Sequence, residues 1–186
     1  MLKMKSGLMS LILALILLSG CASAAKIDTT GDTVRWRGFN LLNMFWKNWK
    51  DSAFEEKDFK LIHEFGFNFV RLPLDYRIWT DENDGSKLNE NKLKQIDDVI
   101  QWGQKYKIHV SLNLHRAPGY TVSPQEPEKT NLWRDLAAQE AFLFQWKMFA
   151  LRYKNISSEI LSFRAYPKTP AALKAMTADT RWRQAS

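Results

Sequence analysis

The sequence predicts an α/β fold, the N-terminal half of a (β/α)8 TIM barrel, and three observations carry that expectation. First, strand-like and helix-like segments alternate from Val34 to Phe163, four strands separated by three helices. Such an order requires parallel pairing through crossover helices. Second, the third strand segment has two different faces. Val110, Leu112 and Leu114 form an apolar one, and His109, Ser111, Asn113 and His115 form a polar one. A doubly wound sheet buries both faces in apolar contacts, whereas a small barrel accommodates a polar interior beneath a site at its mouth. Third, neither the glycine fingerprint of a dinucleotide site nor a P-loop occurs. Residues 26–163 supply 138 positions, against roughly 250 for a complete barrel.

The elements follow from local signals. Val34–Leu41 reads as the first strand. Ser52 and Glu55 have capping-box spacing, and Phe54, Leu61, Ile62 and Phe65 supply the apolar positions of the helix that follows, with Gly66 as its C′ residue. Asn68–Leu74 is the second strand, stopped by Pro73, which cannot donate to a ladder. After a polar loop at 80–87, Leu93, Ile96, Ile100 and Gly103 mark one face of the second helix. Ile108–His115 is the third strand. Asp135–Tyr153 is a longer helix with Phe142, Trp146, Phe149 and Tyr153 along one side, and a fourth strand starts at Ile160.

The two ends differ from this body. Lys3 and Lys5 precede the apolar run Leu8–Leu18, so residues 1–25 read as an export signal. That run is too short for a membrane span of about 20 residues. Leu18-Ser19-Gly20-Cys21 resembles the bacterial lipobox, and Cys21, the only cysteine, is then the lipidated mature N-terminus. Cleavage after Ala22-Ser23-Ala24, giving a secreted or periplasmic protein, is the other reading. Residues 164–186 carry five basic residues against one acid and are rich in alanine. They read as a shifted frame or replaced end rather than more barrel. The net charge of +7 resides in these two ends, because residues 26–163 hold 20 bases and 19 acids. The body therefore lacks the basic footprint of a nucleic-acid binder.

Two residues stand out as candidates for chemistry. Arg71 lies between apolar neighbours on a strand expected to be buried, where an unpaired guanidinium is costly, so it needs a carboxylate or substrate partner. His115 ends the third strand and opens onto the loop Arg116-Ala117-Pro118-Gly119-Tyr120. The C-terminal strand ends are where barrel sites form. No metal site is expected. His109 and His115 share a face but lie about 20 Å apart along the strand, and no HExxH or paired-cysteine spacing exists. Trp36, Trp46, Trp49, Trp79 and Trp133 fall near strands or loops, where rings provide platforms for sugars or simply pack; Trp102 and Trp146 sit mid-helix and read as core.

Taken together these residues resemble glycoside hydrolase family 5, the cellulase family. Arg37-Gly38-Phe39-Asn40 is similar to its first-strand motif, Phe67-Asn68-Phe69-Val70-Arg71-Leu72-Pro73 to its second strand, and Ser111-Leu112-Asn113-Leu114-His115 to its third. The resemblance implies that Arg71 helps hold a nucleophilic carboxylate and that His115 lines the site around the cleaved sugar. Asn40, Trp46 and Tyr120 are candidate substrate contacts. It implies retaining hydrolysis of O-glycosyl bonds in β-linked polysaccharide by an endoglucanase, without cofactor, metal or nucleic acid, by an enzyme that is a monomer at full length. The family's two catalytic glutamates have no counterpart here, since no glutamate follows Glu159. The expectation is therefore an inactive fragment, exported and membrane-anchored through Cys21. A non-catalytic glycan-binding or structural lipoprotein is the alternative, and assembly from two chains is a third reading.

Overall fold

The computed structural model describes residues 35–49, 53–82, 84–123 and 125–164. The expected export signal, Cys21, Ser52 and the tail beyond Arg164 lie outside them. Among the described residues, four strands and three α-helices alternate: β1 (Gly38–Asn40), α1 (Glu56–Glu64), β2 (Phe69–Asp75), α2 (Glu90–Tyr106), β3 (His109–Arg116), α3 (Leu136–Arg152) and β4 (Leu161–Arg164). The strands form one sheet in the order β1-β2-β3-β4, and all three pairings are parallel. This is the expected half of a (β/α) barrel, with the sheet open at β1 and β4.

β1 is shorter than Val34–Leu41 because a side chain replaces part of the ladder. Asn68 Oδ1 accepts from the Arg37 amide at 2.7 Å and Asn68 Nδ2 donates to the Arg35 carbonyl at 3.1 Å. Helix α1 starts later than the capping-box spacing implied. Glu55 occupies the N-cap without a side-chain cap bond. Phe59 and Ile62 form its buried face, while Leu61 is exposed and Phe65 is 76% exposed, so these two do not face the core as expected. Gly66, with φ of +77°, follows the helix as expected of a C′ glycine.

Pro73 does not stop β2. It pairs in register with Asn113, and the strand runs on to Asp75. The reason lies in which neighbour each residue faces. Arg71 accepts from the Leu41 amide at 2.9 Å, and the Asp75 amide donates to the Met44 carbonyl at 2.9 Å. Residues 71, 73 and 75 thus direct their backbone groups toward the β1 side. β1 has already ended at Asn40, so the missing N–H of Pro73 removes no ladder bond.

The two faces of β3 separate as the alternation predicts. Val110, Leu112 and Leu114 are fully buried beneath the helices, and a Cβ added to Gly103 of α2 would meet Val110 Cγ2 at 2.7 Å. Trp79, Phe142, Trp146 and Phe149 complete that core. Trp79 Nε1 donates to Gln145 Oε1 at 2.8 Å, which satisfies its buried indole. On the other face His109 is engaged locally: its Nδ1 lies 2.9 Å from the Glu159 carbonyl and its Nε2 2.8 Å from the Ser162 hydroxyl. Its ring stacks on Phe69, centroids 5.7 Å apart.

Candidate active site

The C-terminal ends of the strands gather most of the polar side chains that sequence reasoning singled out. Arg71 reaches from β2 to both neighbours. Its Nη1 donates to Asn40 Oδ1 of β1 at 3.2 Å, and its Nη2 donates to Asn113 Oδ1 of β3. The expected carboxylate partner is thus replaced by two neutral amide oxygens among the described residues. These satisfy hydrogen-bond geometry but leave the positive charge unneutralised. Burial and the nearby Arg164 together lower the pKa of Arg71 from the ordinary guanidinium value, which still leaves it protonated.

Asn113 links the group together. It is 2% exposed, and its Nδ2 donates to the Arg164 carbonyl of β4 at 3.0 Å. One side chain therefore couples β2, β3 and β4 just below the mouth. The sequence signal was present, since Asn113 alternates with His109, Ser111 and His115, but nothing in the pattern distinguished it from its neighbours.

His115 sits above Asn113 with its ring 4.8 Å from that of Phe45. Burial, and then the positive charge of Arg71, push its pKa below the ordinary imidazole value, so it is neutral at neutral pH and available as a hydrogen-bonding group. The register slips by one residue at this point, and Asp75 pairs with Arg116 rather than with His115. Such irregularities re-aim side chains at barrel rims. Trp46 lies half-buried in the segment after β1. Tyr120 follows β3, its ring 5.5 Å from that of Trp133 and edge-on to it.

The rim holds a charged lattice that the sequence did not announce. Asp75 is fully buried and receives Arg77 Nη2 at 2.7 Å and the Lys47 amide at 3.1 Å. Arg116 donates through Nε to Glu128 Oε1 at 2.6 Å, while Glu128 Oε2 accepts from the Tyr76 hydroxyl at 2.8 Å. Burial, with Glu128 beside it, pushes the Tyr76 hydroxyl up, so it stays protonated and donates.

A half-open parallel β/α sheet whose polar groups converge at the C-terminal strand ends defines part of a barrel enzyme's mouth. The Cellulase model, glycosyl hydrolase family 5, matches residues 27–163, and the chain belongs to that family. It is 36% identical over 112 residues to "Endoglucanase C" of Acetivibrio thermocellus, covering 60% of this chain and 32% of that protein. It is 34% identical over 111 residues to "Cellodextrinase A" of Ruminococcus flavefaciens, with the same coverage of each. Among solved structures, one described as a glycoside hydrolase superposes with a TM-score of 0.70 at 33% identity, over 82% of this chain and 51% of that one. Cel5A of Thermotoga maritima in complex with cellobiose shares the fold, with a TM-score of 0.58 at 23% identity, over 81% of this chain and 51% of that one. The match thus spans about a third of these curated relatives and about half of these solved chains.

Proposed function

We propose that this chain is the amino-terminal half of a retaining endo-β-glucanase and supplies the recognition side of its cleft rather than the reacting groups. The observation that carries this reading is the Arg71, Asn40, Asn113 and His115 cluster at the strand ends of a cellulase-family domain. Retaining hydrolysis needs two carboxyl groups about 5–5.5 Å apart, one to protonate the leaving oxygen and one to attack the anomeric carbon. Neither a guanidinium nor a neutral imidazole replaces the attacking carboxylate. Glu159, the last glutamate in the sequence, has its carbonyl against His109 at the start of β3, at the opposite end of that strand from His115. The carboxylates at the mouth, Asp75, Glu126 and Glu128, are each held by Arg77 or Arg116, so on this reading residues 35–164 contribute glucan binding and not the attacking group.

The test is a titration with cellopentaose together with an assay of reducing sugar released from carboxymethyl cellulose. Binding without release is expected. Robust release that a single substitution in this chain abolishes would overturn the proposal. A form of the protein that joins this half to both glutamates should be a soluble, monomeric glucanase whose turnover falls sharply on changing Arg71 or His115.

The proposed location is the bacterial membrane surface, through a lipid on Cys21. Support comes from Leu18-Ser19-Gly20-Cys21 and the absence of a second cysteine for pairing. Globomycin should block processing of the precursor, and Cys21→Ala should release the protein from membranes. Unchanged processing and membrane association in both experiments would leave simple secretion.

A further inference from the structure

We propose that Arg116 is a positioning residue for glycan binding, the hub of a charged clamp that fixes the segments after β1, β2 and β3 as one wall of the mouth. This rests on reading that mouth as a β-glucan site. Arg116 is the last residue of β3 and only 4% exposed. Besides Glu128, its guanidinium engages the Glu126 carbonyl through Nη2. The Glu126 carboxylate then divides between the other two segments: Oε2 accepts from Arg77 Nη1 at 2.9 Å, and Oε1 accepts from Asn48 Nδ2 at 3.2 Å. Arg77 continues the chain to Asp75, which holds the Lys47 amide. Two guanidiniums thus lie among three carboxylates. Among the described residues, removing Arg116 leaves Glu128 with the Tyr76 hydroxyl alone and removes half of the positive charge that compensates the cluster. Partly buried charge networks lose far more from deletion of one partner than exposed pairs do.

The clamped segments carry the exposed rings of the mouth. After β1, Trp49 is 50% exposed and lies 5.4 Å from Phe45, which contacts His115. After β3, Trp133 is 48% exposed beside Tyr120. Flat apolar rings that remain half exposed suit the faces of neutral sugar rings rather than charged ligands. Holding both segments before the ligand arrives removes the cost of ordering them on binding. The clamp therefore acts on affinity through the placement of groups it does not itself contain.

The experiment uses the full-length chain and its Arg116→Gln, Arg116→Lys and Glu128→Gln variants, read by amide hydrogen exchange and by cellopentaose titration. Arg116→Gln and Glu128→Gln should each speed exchange of the Lys47 amide by about tenfold, as local opening of a loop requires, while Val110 and Leu112 keep their wild-type rates. Cellopentaose affinity should fall by about tenfold in both. Arg116→Lys should behave like Arg116→Gln, because an ammonium lacks the fork that reaches two acceptors. Should Arg116→Gln fail to fold, Glu128→Gln carries the same comparison. Wild-type exchange at Lys47 in the folded variants would overturn the clamp whether or not glycan binds. Faster exchange with unchanged affinity would overturn the positioning role. A wild-type chain that ignores cellopentaose would overturn the glucan reading itself, and the exchange data would still decide whether the three segments are coupled.

Discussion

Replacing Asn113 with alanine tests whether neutral amides truly stabilise the Arg71 guanidinium. The substitution removes the acceptor for Arg71 Nη2 and the donor to the Arg164 carbonyl. A hydrogen bond to a charged group contributes about 1.5–3 kcal/mol, and a neutral one about 1 kcal/mol. Because Asn113 is buried, solvent does not replace either bond, so the expected loss is about 2.5–4 kcal/mol. Urea unfolding of the single variants, Asn113→Ala and Arg71→Met, and of the double variant separates the two bonds. With Arg71 already gone, Asn113→Ala should cost only about 1 kcal/mol, which leaves a coupling of roughly 1.5–3 kcal/mol between the residues. A coupling below about 0.5 kcal/mol would place the pair among merely additive neighbours. It would then refute the account of Arg71 as a charge held by Asn113.

Three further outcomes are expected. Gly103→Ala should destabilise by about 1–3 kcal/mol in the same urea assay, because the added Cβ would meet Ile108 O at 2.8 Å as well as Val110; neutrality would show that α2 moves freely off the sheet. Burial lowers the pKa of both His109 and His115 below the ordinary value of 6.5. The unfolded chain therefore takes up protons first as pH falls, so thermal stability should hold above about pH 6.5 and decline below it; His109→Gln should flatten that decline, and an unchanged profile would remove His109 as a contributor. Edges of β1 and β4 that are open among the described residues, together with exposed Phe39 and Phe65, should give an apparent mass that rises with concentration in sedimentation velocity. Phe39→Lys with Phe65→Lys should reduce that rise; a single species at every concentration would contradict it.

The fold was largely legible because each element carried its own signal. The apolar faces of α2 and α3 and the alternation on β3 needed no tertiary information, and Leu93, Ile96, Phe142 and Phe149 are buried as their spacing requires. The errors came where a position's environment, not its type, decides. Leu61 and Phe65 are apolar, but they fall away from the buried face that Phe59 and Ile62 form, so they remain exposed. Ser52 with Glu55 matched the capping box, yet Glu55 itself is the N-cap. At the site, Arg71 was visible as a charge on an apolar strand, whereas its actual partners depend on register across three strands. The clamp was less visible still. Arg116 and Glu128 are separated by an irregular loop, and no periodicity relates them.

Pro73 gives the protein a seam. Between the Leu41 bond to Arg71 and the Met44 bond from Asp75, the backbone of β2 offers no donor toward the β1 side. The stretch from Leu41 to Met44 therefore has no proline N–H to satisfy, and it closes instead on its own bond from the Phe45 amide to the Leu42 carbonyl at 3.0 Å. Grafting loops of different length between Leu41 and Met44 should change ligand preference before it changes folding.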